Sequence, residues 1–314
     1  MKAVCKQFKR HLAALLICSI CLLGQLPPAN KSQSLFSATV QKESSKPNDD
    51  STLLETGNYS RLSTNIPTPD TIKLISYNIR YRSGEDLQRL IAFLRNDKEI
   101  GAADIVALQE VDRNKKRTRN VNTARLIAEE LSLNYAWAAR PPVAIKDKKK
   151  KQREEETGVA IYSPYPMSEV ERIPLPYTGP GGRRAIAIGA TIRIGEHLVR
   201  AYSVHADSRI PRERKMEQLQ TVLDALARRP TSEPVVVMGD FNTLKSKDLN
   251  SSIALFTARG FTTPIPPNQS TWKLSIIKFR LDWIWLRGLY GIDHNVVGRI
   301  RLSDHLPLWA TVKF

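Results

Sequence analysis

The most restrictive feature of this sequence is a short apolar run that ends abruptly in polar residues. Residues 235–238 are Val-Val-Val-Met, and Gly239, Asp240, Phe241 and Asn242 follow directly. Because three of the four apolar residues are β-branched, the run predicts a buried β-strand. A strand that surfaces at Asp240 and Asn242 would hold two short polar side chains on a rigid platform. The structural alternative is an ordinary Asx turn after a strand.

Several other strand-like runs bring polar side chains to the points where they end. Taken singly, each such residue is explained equally well as a turn residue, a cap or a satisfied buried histidine. The set comprises Asn78, Glu110, His205, Asp240, Asn242, Asp304 and His305. Asp282 lies inside an apolar run, where a carboxylate is costly unless it is paired. We therefore expect the nearby His305 to be its partner.

Strand patterns dominate residues 71–314, and amphipathic helical patterns are interleaved with them. Apolar spacing predicts helices over residues 86–94, 122–131, 211–226 and 251–259. Strands are predicted over residues 72–77, 104–108, 158–163, 184–188, 197–204, 235–238, 281–286 and 306–312, with a Pro/Gly-rich connection before residue 184. This order of elements indicates an α/β or α+β protein with two sheets.

The N-terminus has the pattern of an export signal. Four basic residues precede an apolar stretch over residues 12–23, which is too short to span a membrane but fits the core of a signal peptide. We predict a signal peptide or an uncleaved N-terminal anchor over residues 1–27, and a periplasmic or secreted product. Residues 28–70 are rich in Ser, Thr, Asn, Pro and Asp and are predicted to be a flexible linker. Residues 71–314 are predicted to form one catalytic domain.

Composition limits the function without choosing it. The 314 residues include 48 Lys and Arg against 31 Asp and Glu, which gives a formal net charge of +17. This balance favours nucleic acid, phosphorylated small molecules or anionic lipid as partners. Cys5, Cys18 and Cys21 all lie in the N-terminal segment, so the rest of the chain has no disulfide, thiolate nucleophile or Cys-ligated zinc. We expect a monomer without an obligate protein partner.

Six short motifs, in order along residues 71–314, resemble those of the endonuclease/exonuclease/phosphatase superfamily. They are Ser76-Tyr77-Asn78, Leu108-Gln109-Glu110-Val111-Asp112, Ser203-Val204-His205, Gly239-Asp240-Phe241-Asn242, Leu281-Asp282-Trp283-Ile284 and Ser303-Asp304-His305. The resemblance implies an α+β fold, a four-layer α/β/β/α sandwich in which two packed mixed β-sheets are flanked by helices. It also implies a site at one edge of the sandwich.

The resemblance further implies a metal-dependent hydrolase of phosphate esters. Glu110 would be the main metal ligand, with Asn78 beside it and Asp304 as a further ligand. Oxygen ligands of this kind suit a hard divalent ion, so we expect Mg²⁺, with Mn²⁺ as the alternative.

The same resemblance implies roles for five catalytic residues. Asp240 would position or deprotonate the attacking water, and Asn242 would hold a phosphate oxygen. His305, oriented by Asp282, would bind phosphate or transfer a proton. His205 would act as a general acid or bind phosphate.

The substrate is less constrained than the reaction. The basic composition favours an exported phosphodiesterase or endonuclease acting on DNA or RNA, with Arg184 in contact with phosphate by resemblance. His205, with Glu156 as its candidate partner, argues against abasic-site repair. The alternatives are a sphingomyelinase-like or other phospholipid or small-molecule phosphoesterase, and an inactive member that binds nucleic acid or lipid. A membrane-facing enzyme would need an exposed aromatic hairpin, whereas the aromatic-rich residues 272–285 are interpreted as strand core.

Overall fold

The computed structural model describes residues 53–62, 67–141, 156–230 and 232–314. The predicted signal peptide or anchor and most of the predicted linker lie outside these ranges, as does the basic run at residues 146–153. Among the described residues, no helix is both long enough and apolar enough to cross a membrane.

Helices are interleaved with runs of strands along the described chain. The first half contains β1 (Leu54–Gly57), β2 (Thr71–Asn78), α1 (Gly84–Asn96), β3 (Ile105–Arg113), α2 (Thr123–Leu131), β4 (Asn134–Ala139), β5 (Glu156–Ser163) and β6 (Met167–Thr178). The second half contains β7 (Arg184–Ile194), β8 (His197–His205), α3 (Arg212–Ala227), β9 (Val235–Asp240), α4 (Ser246–Thr257), β10 (Trp272–Leu274), β11 (Ile277–Phe279), β12 (Asp282–Arg287), β13 (Tyr290–Val296) and β14 (Leu308–Lys313).

The strands form two mixed sheets and a separate hairpin. The seven-stranded sheet has the order β1-β4-β5-β3-β2-β14-β13, the five-stranded sheet has the order β12-β9-β8-β7-β6, and β10 pairs with β11. Each sheet contains one parallel pair, β2 with β3 and β8 with β9. A helix connects the two strands of each parallel pair, α1 in the first case and α3 in the second, as a parallel crossover requires.

Three hydrophobic clusters divide this fold into four layers. One cluster lies between the seven-stranded sheet and the helices α1 and α2. A second contains side chains from both sheets and fills the space between them. The third lies between the five-stranded sheet and the helix α3, with α4 beside it. The order helix, sheet, sheet, helix confirms the predicted α+β sandwich.

The helical spacing located the helices well. In α1 the buried face consists of Leu87, Leu90, Ile91 and Leu94, the residues on which its prediction rests. The side chain of Asn122 caps α2 by accepting a hydrogen bond from the backbone N–H of Arg125, 3.1 Å away. The α4 helix begins at Ser246, five residues before the predicted start, because its first turn is polar and carries no periodic apolar signal.

Two strands contradict the predicted loops. The strand β1 pairs with β4 at the edge of the larger sheet, so the linker prediction is wrong for Leu54–Gly57. The predicted Pro/Gly-rich connection contains β6, which includes Pro174 and Pro176. Proline removes a ladder donor, and β6 accommodates it because this strand lies at the edge of its sheet and its register is interrupted.

Candidate active site

The candidate site lies where the inner faces of the two sheets meet at one edge. Successive side chains of a strand point to opposite faces, so residues two or four positions apart share a face. Four residues of the core between the sheets define the inner face of their strands: Leu74, Ala201, Met238 and Ile284. By the same alternation, four polar residues extend that face to the edge: Asn78, His205, Asp240 and Asp282.

Strand register brings three of these residues side by side. Asp240 is the register partner of His205 in β8 and of Asp282 in β12. The preceding Gly239 has φ of 139°, and a Cβ atom there would lie 2.0 Å from the carbonyl oxygen of Val204. Only glycine therefore allows β8 and β9 to approach closely enough for this register.

A hydrogen bond between Asn78 and Asp240 connects the two sheets at this edge. Asn78 Nδ2 donates to Asp240 Oδ2 over 3.0 Å, and both residues are buried. Asn242 has φ of 53°, and its backbone N–H donates to Asp240 Oδ1 over 2.9 Å. The Asn242 side chain donates to the carbonyl oxygen of Ala206 over 2.8 Å, so its amide is anchored to the end of β8.

Glu110 reaches the site because β3 is irregular at this point. The register of β3 with β5 shifts between Gln109 and Val111, and Glu110 has φ of 57°. In a regular strand, Glu110 would face the helices rather than the other sheet. The bulge re-aims the side chain, and its Oε1 lies 3.5 Å from Asn78 Nδ2 and 4.0 Å from His205 Nε2. A left-handed conformation in a non-glycine residue is strained, and such residues cluster at functional sites.

The expected pairing of His305 with Asp282 is present. His305 Nδ1 lies 2.9 Å and 3.0 Å from the two carboxylate oxygens of Asp282, and the hydroxyl of Thr271 donates to Asp282 Oδ2 over 2.7 Å. Burial disfavours a charged imidazole, but the carboxylates of Asp282 and Asp240 outweigh burial and raise the pKa of His305 to about 10. The ring is therefore protonated at neutral pH, and its Nε2 lies 3.6 Å from Asp240 Oδ2.

Asp240 lies between the two histidines. Its Oδ2 is 3.7 Å from His205 Nε2 as well as 3.6 Å from His305 Nε2. Burial raises the pKa of Asp240 to about 7, although the positive charge of His305 opposes this change. A carboxyl group that gains and loses a proton near neutral pH has the property that a general base requires.

His205 differs from His305 in its partner. Its Nδ1 lies 2.8 Å from a guanidinium nitrogen of Arg140. A guanidinium can only donate, so Nδ1 accepts and the ring hydrogen is on Nε2, which faces Asp240 and Glu110. Burial and the positive charge of Arg140 lower the pKa of His205 well below its ordinary value. His205 is therefore a neutral hydrogen-bond donor rather than an imidazolium acid.

The carboxylate of Glu110 fits a divalent ion. It is partly exposed, and its polar partners among the described residues are the two distant contacts given above. Asn78 donates its amide to Asp240 and accepts from the backbone N–H of Arg80 over 3.0 Å, so it becomes a ligand only if the amide turns. Asp304 forms an ion pair of 2.8 Å with Arg80 and is engaged already. These oxygens suit Mg²⁺, with Glu110 as the least satisfied ligand.

A second group of potential ligands lies deeper in the site. Ligand atoms of Asp240, Asp282 and His305 all lie within 4.8 Å of one another. In this group, however, the Asp282 oxygens already accept hydrogen bonds from His305 and Thr271. A metal ion there would have to displace those bonds, whereas Glu110 has none of comparable strength. Glu110 therefore fits a metal ion better than this deeper group does.

A cleft of ≈ 160 Å³ opens beside Glu110 and His205. Four arginines contribute to its lining: Arg140, Arg183, Arg184 and Arg209. Arg184, the predicted phosphate contact, lies here, and its Nε has only a 3.5 Å contact with the hydroxyl of Thr178. The cleft thus combines positive charge with direct access to the reactive groups.

Sequence reasoning missed Arg140 and assigned a wrong partner to His205. Glu156, the candidate partner, instead forms a 2.5 Å ion pair with Arg113. Arg140 follows β4, a strand that contains three alanines and one asparagine and therefore lacks a β-branched signal. The available clue was a basic residue directly after an apolar stretch, the same signal that marks the other site residues.

Comparisons with known proteins agree with this geometry. The profile of the Endonuclease/Exonuclease/phosphatase family matches residues 75–305. Solved structures with the same fold include an endonuclease/exonuclease/phosphatase from Beutenbergia cavernae DSM 12333, with a TM-score of 0.62 and 18% identity over 78% of this chain and 72% of that chain. The human Nocturnin catalytic domain with bound sulfate anion has a TM-score of 0.56 and 19% identity, over 78% and 94% of the two chains.

A third similar structure is that of ANGEL2, a 2',3'-cyclic phosphatase, in complex with adenosine-2',3'-vanadate. Its TM-score is 0.56 and its identity 16%, over 78% of this chain and 96% of that chain. No curated protein has a matching sequence. At these identities the solved structures show the fold alone, whereas the profile spans most of the described domain. The chain therefore belongs to the Endonuclease/Exonuclease/phosphatase family and is a phosphoesterase or nuclease-like hydrolase.

Proposed function

We propose that this protein is an exported, Mg²⁺-dependent hydrolase of phosphate diesters that acts on nucleic acid. The observation that carries the proposal is the convergence of Glu110, Asp240, His205 and His305 at one edge of the sandwich, beside an arginine-lined cleft. Phosphate-ester hydrolysis requires a base for water, a proton for the leaving group and donors for the phosphoryl oxygens. The four side chains can supply each of these functions.

The metal would be held by Glu110, with Asn78 and Asp304 as further oxygen ligands. When bound, it would supply positive charge at the phosphoryl oxygens. The ion pair between Asp304 and Arg80 makes Asp304 the weaker candidate of the two further ligands, because the ligand role would require the pair to open.

The acid–base work falls to Asp240 and His305. Asp240, ionised in part at neutral pH, would accept a proton from the attacking water. His305 carries a proton on Nε2 and is held by Asp282, so it would donate that proton to the leaving oxygen. His205 cannot take this role because Arg140 occupies its Nδ1, and it would instead donate a hydrogen bond from Nε2 to a phosphoryl oxygen. Asn242, whose amide is anchored to the carbonyl of Ala206, would also hold a phosphate oxygen.

Two observations favour a nucleic acid substrate. The cleft carries four arginines, whose guanidinium groups match phosphate geometry, and the chain has a formal net charge of +17. In addition, ANGEL2, which shares the fold, is a 2',3'-cyclic phosphatase whose structure is a complex with adenosine-2',3'-vanadate. In a bound polynucleotide, the phosphate adjacent to the scissile phosphate would lie in the cleft. Binding would weaken steeply as the salt concentration increases.

The decisive test compares Glu110→Gln with Glu85→Gln, an exposed glutamate in the first turn of α1. Loss of a residue that only hydrogen-bonds to a metal ligand lowers activity by up to roughly 100-fold. We expect Glu110→Gln, which removes a ligand itself, to lower turnover by more than this. Mg²⁺ binding, measured by calorimetry, should be lost in Glu110→Gln and retained in Glu85→Gln. Normal turnover in the Glu110 variant would refute the assignment.

A substrate panel distinguishes the alternatives. Plasmid DNA, RNA, bis-nitrophenyl phosphate, sphingomyelin and inositol phosphates would each be tested with Mg²⁺, Mn²⁺ and chelator. Cleavage of DNA or RNA that stops in chelator supports the proposal. Release of phosphocholine with intact DNA would instead identify a phospholipid phosphoesterase, and binding without turnover of any substrate would identify an inactive member.

A further inference from the structure

The hairpin of β10 and β11 has one apolar face and one basic face. Its register pairs Trp272 with Phe279, Lys273 with Lys278, and Leu274 with Ile277. Neighbouring pairs along a hairpin point to opposite faces. The aromatic pair and the aliphatic pair therefore share a face, the aromatic rings lie 5.5 Å apart, and the two lysines lie on the opposite face.

The apolar end of this hairpin is exposed. Ile276 at its turn is 89% exposed, and the neighbouring Leu274 and Ile277 are 38% and 37% exposed. A two-residue turn favours Asn-Gly or Gly-containing sequences, and here Ser275 takes the positive φ of 55°. An isoleucine at the following position contributes nothing to the turn. Leu274, Ile276 and Ile277 thus form an exposed apolar cluster at the end of the hairpin, and exposed apolar clusters mark interaction sites.

The two lysines narrow the chemistry of that partner. Lys273 and Lys278 lie directly opposite each other, and like charges in this arrangement destabilise a strand pair. A second copy of this chain would bring further lysines against them. Nucleic acid would neutralise them but would leave Ile276 in water. An anionic lipid surface satisfies both faces, because it offers phosphate groups beside an apolar interior.

The base of the hairpin is tied to the active site. Trp272 forms a β-bridge with His305, and the backbone N–H of Lys273 donates to the carbonyl oxygen of Asp304 over 3.0 Å. Thr271, the residue before β10, donates to the catalytic-site carboxylate of Asp282. A surface that binds the hairpin would therefore lie beside the active-site edge of the sandwich.

We propose that this hairpin docks the protein on an anionic lipid bilayer. Leu274, Ile276 and Ile277 enter the boundary between headgroups and acyl chains, and the two lysines contact lipid phosphates while their stems lie along the apolar surface. The interpretation of residues 272–285 as strand core is correct for β12, which is buried, but wrong for the hairpin, whose residues are half-buried or exposed. The docking surface is independent of which phosphate ester the site cleaves.

Trp272 provides a native reporter of the hairpin. It is half-buried, whereas the other four tryptophans of the chain, Trp137, Trp283, Trp285 and Trp309, are buried. We would mix the full chain with vesicles of phosphatidylglycerol or phosphatidylcholine that carry brominated acyl chains, and measure quenching of tryptophan emission. Quenching is expected with phosphatidylglycerol, and it should be absent in Trp272→Phe.

Matched variants test both faces of the hairpin. Ile276→Ser is expected to lower the partition coefficient by about 10-fold or more, because one buried isoleucine is removed. Lys273→Gln with Lys278→Gln is expected to lower it by about 25-fold, since each lysine contributes about fivefold. Ile292→Ser, a change at another exposed isoleucine, should leave it unchanged. Turnover of a soluble nitrophenyl ester should be native in Ile276→Ser, which shows that the variant is folded.

Four results would overturn the proposal. They are equal quenching with both lipids, quenching that persists in Trp272→Phe, equal losses in Ile276→Ser and Ile292→Ser, and a dimer in sedimentation that dissociates in Ile276→Ser. The last would identify a second copy of the chain as the partner. None of these measurements depends on which substrate the enzyme cleaves, so the docking proposal and the proposed function can fail separately.

Discussion

A buried lysine beneath the active site offers the most quantitative prediction. Lys215 of α3 is 2% exposed, and its Nζ donates to the backbone carbonyl of Asn242 over 2.6 Å and to Asp248 of α4 over 3.2 Å. Lys215→Met removes one partner of this buried pair and leaves the carboxylate of Asp248 uncompensated. Such a loss typically costs about 3–5 kcal/mol of unfolding free energy. At about 2–4 °C for each kcal/mol in a domain of this size, the melting temperature should fall by roughly 10 °C.

A second substitution separates the charge effect from the positioning effect. In Lys215→Met with Asp248→Leu both charges are gone, so most of the lost stability should return. The carbonyl of Asn242 still lacks its donor, which leaves a deficit of about 1–3 kcal/mol. Because that bond helps to hold Asn242 in its left-handed conformation, kcat should fall by about 10–100-fold in both Lys215 variants.

Calorimetric melting and initial rates on bis-nitrophenyl phosphate measure the two effects. The control is Lys247→Met, an exposed lysine in α4, which should change stability by less than about 0.5 kcal/mol. A double variant as unstable as Lys215→Met would show that the pair is not the source of the loss. A native rate in the stabilised double variant would show that Lys215 does not position Asn242.

Three further variants test the electrostatics. Asp282→Asn removes a carboxylate that raises the pKa of His305, so the alkaline limb of the kcat profile should move to lower pH, and an unmoved limb would contradict the pairing. Arg140→Met leaves Nδ1 of His205 open to protonation, so the pH–rate profile should gain an ionisation on its acidic side. Nitrogen-15 chemical shifts of the His205 ring that show the same tautomer in the variant as in the native protein would contradict this effect. Burial opposes ionisation of Glu55, but four side-chain hydrogen bonds outweigh burial and lower its pKa. The ionised Glu55 therefore stabilises the fold at pH values above the ordinary carboxyl pKa. This stabilisation is lost as the pH falls through the lowered pKa of the folded state. Glu55→Gln should therefore lower the melting temperature at pH 7 and flatten its pH dependence in acid, and equal losses at pH 7 and pH 3 would refute this assignment.

Strand periodicity explains how much of the site was visible in the sequence. The period of two fixes which residues share a face, and every second residue of β2, β8, β9 and β12, such as Leu74, Met238 and Ile284, lies in the core between the sheets. With two packed sheets predicted, the polar residues at the end of that face are expected to lie together at one edge of the sandwich. The pairing of His305 with Asp282 followed from the cost of burying a lone carboxylate.

Other features depend on geometry that no local pattern encodes. Glu110 enters the site only because a bulge turns it away from the helix-facing side of β3. Arg140 was missed because the alanine-rich β4 carries little strand signal of its own. The strand β1 is four residues long and is held by pairing with β4, in which Leu54 lies opposite Ala138 and Gly57 opposite Tyr135, far apart in sequence. Long-range partners decide each of these cases, and a single sequence does not show them.

The two histidines show why residue type alone could not assign the chemistry. Both follow a serine-containing motif and both lie close to Asp240, yet His205 contacts a guanidinium and His305 contacts a carboxylate. A guanidinium holds an imidazole neutral with its hydrogen on the far nitrogen, whereas a carboxylate favours the charged ring. In the proposed mechanism, the proton for the leaving group therefore comes from His305, and His205 is the fixed donor for a phosphoryl oxygen. Because His305 is charged and His205 is neutral, it is His305 that opposes the rise in the pKa of Asp240. Substitution of Asp282 should therefore shift the pH dependence of turnover. Removal of the His205 ring should lower turnover without shifting its pH dependence.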